Sequence, residues 1–237
     1  MRLEVLPSPR AAARRAAEEI AGILRGKGRP RLVLASGKTM VALYAELARL
    51  SRMGRAPFRR AETFNLDELL LPPEDRSSFR AFMERHLFSR VALPAGKIHF
   101  LRGDAADLDA ECRRYERDLA RAGVDVALAG IGVNGHVAYL EPGRSLVPRT
   151  ALVRLSASTR RGLAADGIRP VPRRALTMGI ETILSARRVL LVATGREKAK
   201  AVAAALRGPV TPRCPASFLS LHPALTVILD REAARRL

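Results

Sequence analysis

Apolar and polar positions along the chain follow two alternating rhythms. Short runs rich in β-branched residues at 2–6, 31–36, 62–65, 98–101, 124–130, 175–178, 189–194 and 225–229 read as strands. Between them, apolar residues recur with helical period over 9–25, 39–53, 77–89, 107–122 and 197–206. Near-continuous apolar strands that alternate with helices predict an α/β fold. The expected form is an open, mostly parallel twisted sheet with helices on both faces, a Rossmann-like three-layer sandwich. Ser8 before Pro9 predicts a capped helix start with proline at its first position, and Ser77 precedes a second periodic run.

Linkers between these elements are short, and neither an internal repeat nor a low-complexity tail interrupts them, so residues 1–237 are expected to form a single domain. The least regular stretch is 142–174, where Gly143, Pro148, Gly167, Pro170 and Pro172 break up a weakly helical segment at 156–165. A flap beside a site has this pattern, and so does an ordinary surface connection.

With 48% hydrophobic residues, a chain of 237 residues can bury a substantial core. Cys112 and Cys214 are too few for a disulfide scaffold and lack the spacing of a zinc site, which implies a reducing compartment. The first residues form a strand-like run rather than a basic head with a long apolar stretch, and no later run approaches membrane-spanning length. The expectation is a cytoplasmic protein without a membrane partner; a homo-oligomer is compatible with the sequence. The net charge of +19 raises nucleic acid as a partner. Its arginines, however, are scattered among alanines on helical segments, and aromatics make up only 4% of residues, so the pattern favours solvated helix faces and argues against a nucleic-acid partner.

In open parallel sheets, ligands bind beyond the carboxyl ends of the strands. Three places there carry chemistry. At the first, strand 31–36 runs into Ser36, Gly37, Lys38 and Thr39, whose hydroxyls, ammonium and helix-start N–H groups suit a phosphate; a plain strand-to-helix cap is the alternative. At the second, Asp67 and Glu68 follow strand 62–65. A partly desolvated carboxylate there can accept a carbon-bound proton, with Glu68 bracing the turn, although Asp67 could equally be a cap.

The third is the strongest. The apolar run 124–129 opens into Gly130-Ile131-Gly132-Val133-Asn134-Gly135-His136, with Glu141 five residues on. Glycines let the backbone approach a ligand, and histidine exchanges protons near neutral pH. A dinucleotide fingerprint fits poorly, because it should follow the first strand of a βαβ unit with an acidic residue about 20 positions later, whereas here the next strand signal is indistinct. Packing of His136 in the core is the structural alternative. His86, His99 and His222 each have a structural reading in a helix, a strand and a turn, and no pair of histidines has metal-ligand spacing, so no metal is expected.

Taken in order, these segments resemble the glucosamine-6-phosphate deaminases, of the superfamily that also contains 6-phosphogluconolactonase. The resemblance rests on Phe64-Asn65-Leu66-Asp67-Glu68, Ser77-Ser78-Phe79-Arg80-Ala81-Phe82-Met83, the run from Asp109 to Glu116, Gly135-His136-Val137-Ala138 and Glu141-Pro142. Ala175-Leu176-Thr177-Met178-Gly179, Lys198 and Leu221-His222-Pro223 follow in the expected order. Lactonases continue differently after Gly-His and carry Asp-Glu-Arg where this chain has Asp67-Glu68-Leu69, which favours the deaminase branch.

The resemblance implies an aldose-ketose isomerase/deaminase converting glucosamine 6-phosphate to fructose 6-phosphate and ammonia. The alternatives on the same fold are a 6-phosphogluconolactonase and a catalytically weak sugar-phosphate-binding protein. By resemblance, Asp67 is the enolisation base, and Asn134, His136 and Glu141 handle the ring-opening proton. The 36–39 turn and Lys198 hold the phosphate, the partner is a small sugar phosphate, and no cofactor is implied. Glu141 is expected to set the tautomer of His136 and raise its basicity. Asn134 stands where the best-known members have aspartate, Leu140 replaces an asparagine, and Lys38 and Met40 replace a glycine and a proline. The arginine with which members clamp the phosphate falls near Ala165, leaving Arg160, Arg161 or Arg169 as substitutes. Two basic residues used for allosteric phosphate binding fall on Ala151 and Val153, which implies no activation by N-acetylglucosamine 6-phosphate.

Overall fold

Seven of the apolar runs do assemble into one parallel sheet. In the computed structural model, which describes residues 1–121 and 123–237, its strands are β1 (Arg2–Leu6), β2 (Arg31–Leu34), β3 (Glu62–Asn65), β5 (Ile98–His99), β6 (Val126–Ala129), β9 (Val189–Ala193) and β10 (Leu225–Asp230). Their spatial order is β1-β10-β9-β6-β2-β3-β5. The central strands β2, β6 and β9 are buried along their whole lengths, which is why β6, β9 and β2 after Arg31 are continuously apolar rather than alternating.

The chain leaves β2 for β3 and β5 in one direction, then returns to β6 beside β2 and continues to β9 and β10 in the other. Parallel crossovers are right-handed, so this reversal puts helices on both faces. It also opens a crevice at the carboxyl ends of β2 and β6, the topological switch point.

Helices form where caps and apolar stripes agree. In α1 (Pro9–Gly26), the Ser8 hydroxyl accepts from the Ala11 N–H at 3.2 Å, and Ala12, Ala16, Ile20 and Leu24 bury one face. Helix α2 is Lys38–Arg52, and α3 is Phe79–His86, shorter than the 77–89 expected because Ser78, not Ser77, caps it by accepting from the Ala81 N–H at 3.0 Å. In α4 (Leu108–Ala120), Asp107 accepts from the Ala110 N–H at 2.8 Å; Ala122, the last residue expected in this helix, lies outside the described residues. The expected helix 197–206 becomes a 3-10 turn over Arg196–Lys198 followed by α7 (Ala199–Arg207).

One strand lies in a different place from the one expected. The run 175–178 belongs to a separate three-stranded antiparallel sheet, in which β8 (Arg174–Thr177) lies between β4 (Asp67–Leu69) and β7 (Ala151–Arg154). Thus the irregular stretch 142–174 contains a paired strand, β7, as well as α5 (Ala157–Ala165). Two shorter helices, α6 (Ile180–Leu184) and α8 (Arg231–Ala234), complete the fold.

The two sheets meet at Leu66. Leu66 donates its N–H to the Leu34 carbonyl of β2 at 3.0 Å, while its own carbonyl accepts from the Met178 N–H at 2.7 Å. Asp67, next in the chain, therefore opens β4 instead of ending β3. Among the described residues, no helix is long and apolar enough to cross a membrane.

Candidate active site

A cleft of about 820 Å³ opens above the carboxyl ends of β3, β2, β6 and β9, four neighbouring strands. Each sends one predicted segment to it. After β2 come Ser36, Gly37, Lys38 and Thr39; beyond β3 lies Asp67; after β6 come Gly130, Gly132 and His136; and after β9 comes Lys198.

The turn after β2 leads directly into α2. Gly37 provides no side-chain cap; the Met40 N–H bonds to the Gly37 carbonyl at 3.0 Å, which leaves the N–H groups of Lys38 and Thr39 for a ligand. Lys38 is 78% exposed, and its Nζ lies 2.5 Å from Asp166 Oδ1, at the end of α5 across the cleft. Lys198 is more enclosed. Burial lowers its pKa, partly offset by Glu197 and Asp166, so an anion entering the cleft would meet an incompletely hydrated ammonium.

Asp67 is 7% exposed, and its Oδ1 has no hydrogen-bond partner. Burial, reinforced by the neighbouring charge of Glu68 and only partly offset by the Ser36 hydroxyl, pushes its pKa up to about 8. A buried carboxyl with an unpaired oxygen facing a cleft carries a cost that structure alone does not repay, which separates Asp67 from an ordinary cap. Glu68 has the structural role. Its carboxylate accepts from the N–H groups of Leu69, Phe79 and Arg80 at 2.9, 2.7 and 2.9 Å, fixing the start of α3, and burial raises its pKa to about 7.

The loop after β6 is shaped around His136. Gly132 donates its N–H to the His136 carbonyl at 2.9 Å, and a Cβ on Gly132 would lie 2.2 Å from the imidazole Cε1. Gly135 has φ +91° and packs against Cys214, so a side chain there would be both strained and obstructed. Asn134 and Glu141 stand behind the histidine. Asn134 Oδ1 accepts from the His136 N–H at 3.2 Å, and Asn134 Nδ2 donates to Glu141 Oε2 at 3.0 Å. The other oxygen, Glu141 Oε1, accepts from the Ser156 N–H at 3.1 Å.

Glu141 thus has partners other than the histidine: its Oε2 is 3.8 Å from His136 Nδ1, whereas Thr159 Oγ1 of α5 is at 3.4 Å. Glu141 does act to raise the basicity of His136, as expected, but its influence is outweighed. Burial holds the histidine's pKa below the usual value, and Lys198 adds to the effect, against the opposing influence of Glu141.

The substitutes considered for a clamp arginine do not reach the cleft. Arg169 donates to the Ala164 and Ile168 carbonyls at 2.7 and 2.8 Å, closing the end of α5, and neither Arg160 nor Arg161 lines the cavity. Arg76 and Arg85 line it instead, from the segment before α3 and from α3 itself. His86, expected to be structural, also faces the cleft, where burial and the charges of Arg85 and Arg90 lower its pKa. His99 and His222 are structural: His99 stacks on Phe64 with centroids 4.6 Å apart, and His222 Nε2 lies 2.8 Å from the Ala186 carbonyl. Sequence reasoning missed Tyr139, Thr159 and Asp166. The first sits three positions after His136, beyond Ala138 in a left-handed conformation of φ +49°, which a sequence does not announce.

Comparison with known proteins gives the family and the fold. The family model for glucosamine-6-phosphate isomerases/6-phosphogluconolactonase matches residues 8–227. A glucosamine-6-phosphate deaminase of Giardia intestinalis is 43% identical over 224 residues, covering 92% of this chain and 84% of that protein. The structure of a monomeric glucosamine-6-phosphate deaminase superposes with a TM-score of 0.96 at 37% identity, over the full length of both chains. A 6-phosphogluconolactonase from Thermotoga maritima has the same fold, with a TM-score of 0.76 at 23% identity over 97% of this chain and 98% of that one. The chain belongs to the glucosamine-6-phosphate isomerase/6-phosphogluconolactonase family.

Proposed function

We propose that this protein is a glucosamine-6-phosphate deaminase, converting glucosamine 6-phosphate and water to fructose 6-phosphate and ammonia. The observation that carries the reading is the convergence of Asp67, His136, the 36–39 turn and Lys198 on one cleft. In this proposal the turn and Lys198 hold the phosphate, which anchors the sugar with its C1–C2 end toward Asp67 and His136.

His136 Nε2, which hydrogen-bonds to no described residue, takes the proton of the C1 hydroxyl as the bond from C1 to the ring oxygen breaks. It then returns that proton to the ring oxygen. Asn134 and Glu141 hold the histidine from behind. The C1 aldehyde so formed acidifies the C2 hydrogen, and Asp67 removes it as a proton. Return of that proton to C1, together with passage of one proton from the substrate ammonium to the C1 oxygen, leaves an iminium at C2 and a hydroxyl at C1. Water adds there, ammonia departs, and a ketone remains.

A base with a pKa of about 8 is mostly protonated in the empty cleft at neutral pH. The ammonium form of the substrate amine brings a positive charge beside Asp67 and favours its ionised state. Every step is a proton transfer or a water addition, so the proposal includes no metal and no organic cofactor. It also takes residues 1–237 as a single domain and 142–174, with α5, as its flap. It places the protein in the cytoplasm, in keeping with its two buried free cysteines.

The test is ammonia release from glucosamine 6-phosphate and galactosamine 6-phosphate by the purified protein. Release from either, lost in Asp67→Asn, supports the reading; no ammonia from both, or hydrolysis of 6-phosphogluconolactone instead, overturns it.

A further inference from the structure

Helix α5 reaches into the machinery around His136. Its cap residue Ser156 donates its N–H to Glu141 Oε1 at 3.1 Å, and its first turn carries Thr159, whose Oγ1 lies 3.4 Å from His136 Nδ1. Thr159 is buried and lines the cleft. Its backbone N–H and its hydroxyl both meet Ser156 Oγ, at 3.1 and 3.2 Å, so the hydroxyl is fixed rather than free to rotate away. The charged groups facing the imidazole are Glu141 from its own loop and Lys198 beyond β9; Tyr139 adds a ring with its centroid 6.4 Å away.

A neutral imidazole carries one N–H, and the partner of one nitrogen decides what the other can do. A carboxylate beside Nδ1 favours a proton there. At 3.8 Å, however, Glu141 is beyond hydrogen-bond reach, and its Oε2 is occupied by Asn134. The acceptor within reach is the Thr159 oxygen, which accepts from the Ser156 hydroxyl and has a second lone pair for Nδ1–H.

We propose that Thr159 is a positioning residue that accepts a hydrogen bond from His136 Nδ1–H and so turns the unprotonated Nε2 toward the cleft. This deepens the ring-opening reading of His136 and rests on it. Docking of α5 then completes the base: with α5 in place, Nε2 can take the hydroxyl proton, and the imidazolium that forms keeps its Nδ1–H on Thr159 until Nε2 returns the proton to the ring oxygen. The long separation in the unliganded cleft leaves room for this bond to tighten when substrate is bound.

The experiment is NMR of histidine-labelled full-length protein, reading the tautomer of His136 from its ring nitrogen and Cδ2 shifts, alongside steady-state kinetics. In the native protein neutral His136 should carry its proton on Nδ1. In Thr159→Val, of nearly the same shape, the ring should become a mixture of tautomers. There kcat should fall roughly tenfold with KM little changed, as expected for one lost hydrogen bond to a group that becomes charged. Thr159→Ser should restore both, and Thr159→Ala gives the same reading should the valine variant not fold. An Nε2–H tautomer in the native protein, or one unchanged in the valine and alanine variants, overturns the proposal. Thr159-dependent tautomers in a protein that releases no ammonia would instead sink the deaminase reading and leave the role of Thr159 standing.

Discussion

Gly132 lies against the imidazole of His136 so closely that any side chain would have to displace the ring: its Cβ would come within 2.2 to 2.4 Å of three ring atoms. The His136 backbone is tied to Gly132 and Asn134 by hydrogen bonds, so Gly132→Ala should move the ring rather than be absorbed by the loop. A misplacement of this kind costs roughly a hundredfold in rate. The expected result is that loss in kcat for ammonia release with the fold retained, checked by kinetics and circular dichroism together.

Asp67→Asn removes the proposed base. Ammonia release should fall by about 10² to 10⁴-fold, while affinity for the sugar phosphate changes little. The native enzyme should also show a pH profile of kcat/KM with a rising limb centred near the Asp67 pKa of about 8, and a profile falling over that range would contradict the assignment.

The same carboxyl makes a prediction about stability. Unfolded, Asp67 ionises near 3.8; folded, near 8. Between these values the folded state holds a proton that the unfolded state has lost. Its contribution is therefore fully present below about pH 3.8 and is lost as pH rises toward 8. An amide in its place titrates nowhere in that range, so Asp67→Asn should be more stable than the native protein at pH 8, by an amount on the order of a few kcal/mol, and the gap should narrow toward pH 5. Thermal melts of both proteins at the two pH values measure it.

The two lysines of the cleft should differ. Lys198 is enclosed and has its pKa lowered by burial, so Lys198→Ala should raise KM for the sugar phosphate by about ten- to a hundredfold. Lys38 is exposed and already paired with Asp166, so Lys38→Ala should raise KM by a smaller factor. Asp166→Asn should lower KM by releasing Lys38 and removing a like charge from the phosphate. Equal effects of the two lysine variants would refute this ordering.

N-acetylglucosamine 6-phosphate should not activate the enzyme. Ala151 and Val153, in the positions where the resemblance places a basic pair, are apolar residues of β7 paired with Thr177 and Ala175. Initial rates across a range of that ligand should stay flat, and a clear rise would refute the prediction.

The parallel sheet was readable because burial on both faces makes β6, β9 and β2 after Arg31 continuously apolar. His136 was readable because three glycines follow such a strand, and only close backbone approach explains that pattern. The small sheet was not. Its strands β4 and β7 have three and four residues, and both pair with β8, more than 100 positions from β4 and 20 from β7. Pairing at such distance leaves no local period to detect. Thr159 was hidden for a related reason: a threonine in the first turn of a weakly apolar helix is an ordinary residue until the fold brings α5 to His136, 23 positions away. Lys38 was visible as a cation at a strand end, but its pairing with Asp166 depends on where α5 ends.

The joint at Leu66 limits how this chain can change. Because Leu66 is bonded through its N–H to β2 and through its carbonyl to Met178 beside β8, residues 65–67 have no slack. One residue inserted there would shift Asp67 onto the opposite side of its three-residue strand and unpair two sheets at once. Apart from the turn that carries Ser36, loops around the cleft can lengthen or shorten without touching the Asp67 carboxyl, so the scaffold can accept new specificities at its rim while the proposed base stays fixed in place.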